Sequence, residues 1–145
     1  MTERTGGCLC GAVRFSATTL GDFGVCHCEQ CRRWAGSALF AVTAPVAGMT
    51  IEGAESIRRF RSSAWASREF CGACGSVLWY RHDKGVDGAG DYELCIGLLD
   101  DADGFELTRE IFIDQKPDCW ALAGEHKTLT RAETLTKYGV EVDGA

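Results

Sequence analysis

The residues best equipped to do chemistry in this chain are its cysteines. Nine are present, and seven fall into three short-spaced groups: Cys8-Leu9-Cys10, Cys26-His27-Cys28-Glu29-Gln30-Cys31, and Cys71-Gly72-Ala73-Cys74. C-x-C and C-x-x-C spacings let two thiolates leave one turn toward a common centre, about 2.3 Å from each sulfur, which suits a tetrahedral zinc ion. The outer pairs, Cys8 with Cys10 and Cys71 with Cys74, together supply four sulfurs, enough to close a structural site. The central Cys26, Cys28 and Cys31 supply three and leave a position open, as catalytic zinc requires. The ligand arithmetic therefore predicts two zinc ions per chain, one structural and one catalytic.

A disulfide framework also pairs cysteines, but it belongs to oxidising compartments. Residues 1–7 hold no apolar stretch of the kind an export signal carries. The cysteine count is odd, and C-x-C pairs make strained disulfides. A thioredoxin-type C-x-x-C sits in a βαβ setting, whereas Cys71 and Cys74 lie between strand-like runs. The expected compartment is cytoplasmic.

Three thiolates on one Zn²⁺ leave a formal charge of about −1, which weakens the metal as a Lewis acid and favours a soft fourth ligand over hydroxide. A substrate thiol bound there loses its proton yet remains nucleophilic. Its attack on a small aldehyde gives a hemithioacetal, and the reverse step is a carbon–sulfur lyase reaction. Arg32 and Arg33 are candidates to hold a carboxylate of the thiol by bidentate contact. His27 and Glu29 are the nearest proton carriers, or either one fills the fourth position and leaves an inert site. The remaining candidates read as bland. Cys95 is a buried small hydrophobe, Cys119 a packing or surface thiol, and His82 and His126 are solvated. Trp34 and Trp79 form core or pocket wall, and Asp100-Asp101-Ala102-Asp103 lacks the rest of a calcium loop.

These side chains need a scaffold, and composition bounds it. A chain of 145 residues is one domain, 1–145, with enough length for a core. A net charge of −6 offers no basic surplus for nucleic acid, and no apolar run approaches the roughly 18 to 20 residues of a membrane span. Eighteen glycines against two prolines point to many tight turns. Alternation predicts a half-buried strand over 11–17 and a hairpin of 49–52 with 56–61 about Gly53, and the largely apolar run over 37–44 predicts a fully buried strand. Further strands are expected over 76–81, 92–99 and 110–114, with a turn-rich loop over 83–90. A short helix over 29–35, stopped by Gly36, places Cys28 at its start, where free N–H groups favour a thiolate. From residue 121 the tail is polar and shows little sign of structure. The result is a mainly β domain of short antiparallel sheets with one short helix, in which zinc clips the first strand to the mid-chain hairpin and contributes directly to folding.

The stretches Gly7-Cys8-Leu9-Cys10-Gly11, Cys26-His27-Cys28-Glu29-Gln30-Cys31-Arg32-Arg33 and Phe70-Cys71-Gly72-Ala73-Cys74-Gly75 resemble the glutathione-dependent formaldehyde-activating enzyme family, which includes the centromere protein V domain. The similarity continues through Gly36-Ser37, Arg61-Ser62-Ser63, Arg68-Glu69-Phe70, Gly97-Leu98-Leu99-Asp100-Asp101 and Trp120, so it spans roughly residues 6–120 and leaves 121–145 as a tail. The resemblance implies a β-tent fold, a structural zinc on Cys8, Cys10, Cys71 and Cys74, and a second zinc on Cys26, Cys28 and Cys31. It implies an activity that joins formaldehyde to glutathione as S-hydroxymethylglutathione, or cleaves it. The chain departs from the family at Glu110, where His is frequent, and in lacking Leu-Pro after Trp120. Two other classes compete: a non-enzymatic module with two structural zincs, and a methionine sulfoxide reductase, whose late reactive cysteine Cys95 could mimic but whose zinc pairs are both C-x-x-C.

Overall fold

A computed structural model of the chain describes residues 2–83 and 90–139. In chain order the strands are β1 (Thr2–Gly7), β2 (Arg14–Thr19), β3 (Asp22–Cys26), β4 (Leu39–Ala44), β5 (Met49–Glu52), β6 (Ile57–Arg61), β7 (Ala66–Cys71), β8 (Val77–His82), β9 (Tyr92–Cys95), β10 (Glu106–Ile111) and β11 (Lys127–Leu129). Helix α1 (Glu29–Ala35) follows β3, and α2 (Arg131–Tyr138) follows β11. A small sheet has the order β1-β2-β5, and a large one the order β11-β10-β3-β4-β9-β8-β7-β6. The mainly β reading holds. Pairing is antiparallel except around β10, which runs parallel to both β3 and β11.

One core joins the sheets. Phe15 and Ala17 of β2, with Val13 just before it, meet Val42, Leu78, Trp79 and Leu94 of the large sheet. The Phe15 and Trp79 rings touch edge to face at 5.8 Å. Each fully buried large side chain contributes about 1.5–3 kcal/mol through removal from water. The other face of the large sheet is organised differently. Residues two apart along a strand share a face, which puts Leu39, Ala41 and Thr43 of β4 beside Glu93 and Cys95 of β9, with Gly24 and Cys26 of β3 on the opposite flank. That face carries a cavity, and this is why β4 is only half buried although its sequence reads as an interior strand.

Several expectations shift. Residues 49–52 and 56–61 form no hairpin: β5 pairs with β2, and β6 forms the edge of the large sheet beside β7. Gly53 makes the crossing possible. Its φ is +81°, and a Cβ there would lie 1.7 Å from the Ala12 carbonyl oxygen, so no side chain fits. The first six described residues form an edge strand, β1. The strand expected over 110–114 ends at Ile111, where Phe112 turns into the left-handed region at φ 53°. The tail folds too. Thr130 caps α2 by accepting from the Glu133 N–H, and the Glu133 carboxylate accepts from the Thr130 N–H, a reciprocal capping box. Among the described residues there are thus two α-helices rather than one. Most of the loop expected over 83–90 lies outside the described residues.

Candidate functional site

The outer cysteines come together from the two sheets. Cys8 and Cys10 follow β1, while Cys71 ends β7 and Cys74 sits in the turn to β8. Each loop is tied locally. The Cys8 N–H donates to the Val13 carbonyl at 3.0 Å, and the Gly75 N–H to that of Cys71 at 2.8 Å, with Gly75 at φ +80°. The Leu9 N–H crosses between the loops to the Ser76 hydroxyl at 3.0 Å. Cys8 and Cys10 sulfurs lie 3.6 Å apart, Cys10 and Cys71 3.9 Å, and all four lie within 4.8 Å of one another. Four sulfurs about 2.3 Å from a tetrahedral centre stand about 3.8 Å apart. The donor set therefore fits a closed four-thiolate ion, and all nine cysteines are free thiols.

The central cluster is built by a strand end and a helix start. Cys26 closes β3, in register with Leu39 on one side and Ile111 on the other. Cys28 is the N-cap of α1, and its sulfur accepts from the Cys31 N–H at 3.3 Å. Cys31 lies in the first turn. The three sulfurs lie within 4.8 Å of one another, and no described histidine or carboxylate joins them. The proton distribution follows from this crowding. Bonds from the Cys26 and Cys31 thiols, then the Cys31 N–H and the charge of Arg68, bring Cys28 down to about 3. Cys26 is pushed well above the ordinary thiol range, first by the Cys28 thiol. Such a site is already anionic, as a divalent cation requires. Together the two clusters can hold two metal ions.

His27 takes no part in the cluster. The chain is extended here, so the residue between Cys26 and Cys28 turns to the other side. His27 is fully buried, and its Nε2 bonds Glu110 Oε1 at 2.7 Å. The other oxygen of Glu110 bonds His126 Nε2, and the Trp120 ring stacks on His27 at 6.2 Å. Burial raises the Glu110 carboxyl, yet the His126 and His27 bonds prevail and hold it below its ordinary value. His126 is thus a buried partner in a His27–Glu110–His126 chain, not a solvated tail residue. Glu29 points outward on α1 and pairs with Arg33 at 2.9 Å, both largely exposed. Asp100 is gripped by both arms of Arg14 and by Thr5, and the Arg14 bonds pull it down to about 2.

The central thiols line a cavity of about 470 Å³. Leu39, Ala41, Ile111 and Phe112 give it apolar walls, and the far side is formed by Trp65, just before β7, with Tyr80 and His82 of β8. Neither Arg32 nor Arg33 is among the lining residues. Arg68 of β7 is, and it is only 3% exposed. Its guanidinium lies 5.1 Å over both the Trp34 and Tyr80 rings and donates to Cys31 Sγ at 3.5 Å. Its Nε has no partner, and a buried guanidinium without a carboxylate is costly unless an anion compensates it. Here the thiolates do so. Burial pushes the neighbouring Cys95 thiol up to about 12, which keeps it protonated and inert. Cys119 is exposed. Arg68, Glu93 and Arg109 are cavity residues that local spacing does not reveal, because strand pairing across the large sheet brings them there.

A mainly β domain with one four-thiol cluster between its sheets and a second, three-thiol cluster opening on a cavity defines a class of cysteine-rich protein able to hold two metal ions. The chain belongs to the glutathione-dependent formaldehyde-activating enzyme family, whose model matches residues 3–115. It is 29% identical over 136 residues to an uncharacterized lyase of Schizosaccharomyces pombe, covering 93% of this chain and 96% of that one. It is 31% identical over 83 residues to a Halomonas elongata protein provisionally named a glutathione-dependent formaldehyde-activating enzyme, covering 51% of this chain and 53% of the relative. A crystal structure of a Rhodobacter sphaeroides protein superposes with a TM-score of 0.55 at 26% identity, over 66% of this chain and 87% of that one. Among the described residues no helix is long and apolar enough to cross a membrane.

Proposed function

We propose that this protein is a zinc-dependent carbon–sulfur lyase and synthase of the formaldehyde-activating type, forming or cleaving small thiol–aldehyde adducts such as S-hydroxymethylglutathione. The observation that carries the reading is a cluster of three mutually close thiols, without a fourth described protein ligand, at the wall of a peptide-sized cavity. Cys26, Cys28 and Cys31 would hold the catalytic zinc, and Cys8, Cys10, Cys71 and Cys74 the structural one. What zinc supplies when bound to three thiolates is removal of the proton from an incoming thiol while its sulfur stays nucleophilic.

The chain's own residues do the rest. Arg68 lies against the Cys31 sulfur, where its charge offsets the thiolates and lies close to where an aldehyde oxygen would gain charge. When sulfur attacks the carbonyl carbon, the C–S bond forms and the C=O π pair moves onto oxygen, so a fixed cation at that point favours the developing charge. The oxygen then takes a proton from solvent, matching the one the thiol released, so the addition is proton-neutral; cleavage runs the same path backward. The anion contact expected of Arg32 and Arg33 passes to Arg68 in this reading. The apolar walls keep competing water from the adduct. Unbridged thiols in both clusters suit a reducing compartment, the cytoplasm.

Free thiols already add to formaldehyde quickly, so the test is the exchange rate rather than the amount of adduct. Two-dimensional exchange NMR on glutathione with formaldehyde should show acceleration by the zinc-loaded protein and none by Cys31→Ser with the fold intact. Equal rates with wild type, the variant and no protein would overturn the proposal.

A further inference from the structure

The chain leaves the central cavity after Phe112 and comes back to it. Of the described residues beyond Phe112, Thr134, Leu135 and Tyr138 line the cavity, and all three belong to α2. Leu135 packs against the group formed by Cys28, Cys31, Leu39 and Phe112. One wall of the space in front of the central thiols is therefore a helix of the tail, beyond the residues 3–115 that the family model matches.

That wall is lightly held. A helix of eight residues has little stability of its own in water and depends on what it docks against. Thr134 is buried and Leu135 half-buried, while Ala132, Glu133, Thr136, Lys137 and Tyr138 are exposed, so α2 removes little apolar surface from water. Its tethers lie at its root and in its first turns. His126 bonds Glu110, and the three residues of β11 pair with β10. The Arg131 N–H donates to Asp114 Oδ1 at 2.8 Å, and the Phe112 N–H donates to the Thr134 hydroxyl at 3.4 Å. Segments with few buried contacts open ahead of the rest of a fold.

The tether at Phe112 falls on a strained residue. Phe112 has φ 53°, in the left-handed region that bulky side chains rarely adopt. Such a conformation persists only where its surroundings hold it, and Thr134 supplies part of that hold. Ile111, the residue before, is in register with Cys26, and its carbonyl accepts from the His27 N–H at 3.1 Å. The docking of α2 thus bears on the backbone beside the central thiols.

We infer that α2 is a lid on the central cluster: it undocks as a unit from its root at β11, and its opening sets how fast molecules reach Cys26, Cys28 and Cys31. The inference rests on the central thiols being the working site of the proposed reaction, and it concerns access to that site rather than the adduct formed there.

Two measurements on the zinc-loaded full chain test it. Amide exchange read by mass spectrometry follows opening, and labelling with N-ethylmaleimide, read peptide by peptide, follows access to each cysteine group. In wild type the amides of 131–138 should exchange at least about a hundredfold faster than those of β8, whose Leu78 and Trp79 are fully buried. Asp114 is exposed and does not line the cavity. Asp114→Ala should raise both α2 exchange and labelling of the central cysteines about threefold or more. Leu135→Ala should raise both at least about tenfold. Labelling of Cys8 and Cys10 and exchange in β8 should stay as in wild type, which shows the variants to be folded; if Leu135→Ala does not fold, Asp114→Ala decides. Wild-type α2 amides as protected as those of β8 would overturn the inference. So would faster α2 exchange with unchanged central labelling, or labelling that rises equally at Cys8 and Cys10. If central labelling follows α2 but glutathione exchange with formaldehyde is not accelerated, the lid stands and the proposed reaction falls. If that exchange is accelerated and central labelling ignores α2, the reaction stands and the lid falls.

Discussion

Replacing Glu93 by Gln should change how stability depends on pH. The ordinary carboxyl value is 4.5, and burial raises Glu93 to about 7 in the fold. Between those values the folded chain holds the proton more firmly than the unfolded chain does. Stability therefore falls as pH rises through this window, and the cost is complete above about 7. The gap of about two and a half pH units, at 1.36 kcal/mol each, sets an upper limit of about 3 kcal/mol. Partial solvent contact through the cavity reduces it. Gln carries no charge and keeps an oxygen for the Thr43 hydroxyl, which donates to Glu93, so the variant escapes the penalty. Urea unfolding of both zinc-saturated proteins at pH 5 and pH 8 gives two differences, and metal effects common to both proteins cancel. The variant should gain about 1–3 kcal/mol on wild type between pH 5 and pH 8. An unchanged difference, or a gain by wild type, would refute the reasoning.

The clusters should separate by what their loss does. Protein purified without chelator should contain two zinc ions per chain by elemental analysis. Cys74→Ser should unfold the domain or lower its melting temperature severely, because that site joins the two sheets, whereas Cys28→Ser should lose one ion and keep its β circular dichroism. His126→Ala removes a buried bond to Glu110 and should cost about 1–3 kcal/mol in denaturant unfolding; a loss below about 0.5 kcal/mol, on the order of an ordinary surface change, would mean that the tail is not anchored there.

The grouping of the thiols was legible because each group is local: C-x-C and C-x-x-C bring sulfurs together within one turn, whatever the rest of the chain does. Cys28 as a helix start was legible for the same reason. The cavity was not. Arg68, Glu93 and Arg109 belong to β7, β9 and β10, and only the order of strands in the large sheet places them around one cavity with Cys26. The parallel pairing of β10 with β3 leaves no local trace, and the same pairing brings Glu110 to Val25 and so within reach of His27. His126 reads as polar tail until Glu110 is placed opposite it. Helix α2, by contrast, carried a readable signal in Thr130-x-x-Glu133 with Gly139 at its end. Arg33 looked like an anion clamp because it lies two residues from Cys31, but the pitch of α1 turns it four residues back to Glu29.

The central claim is that one of the two metal positions is open to an outside thiol. Cadmium-113 NMR of the cadmium-substituted protein tests it directly. Two resonances should appear, and glutathione should move the one that is missing in Cys31→Ser while leaving the other in place. A single resonance, or two that glutathione leaves unchanged, would contradict the account.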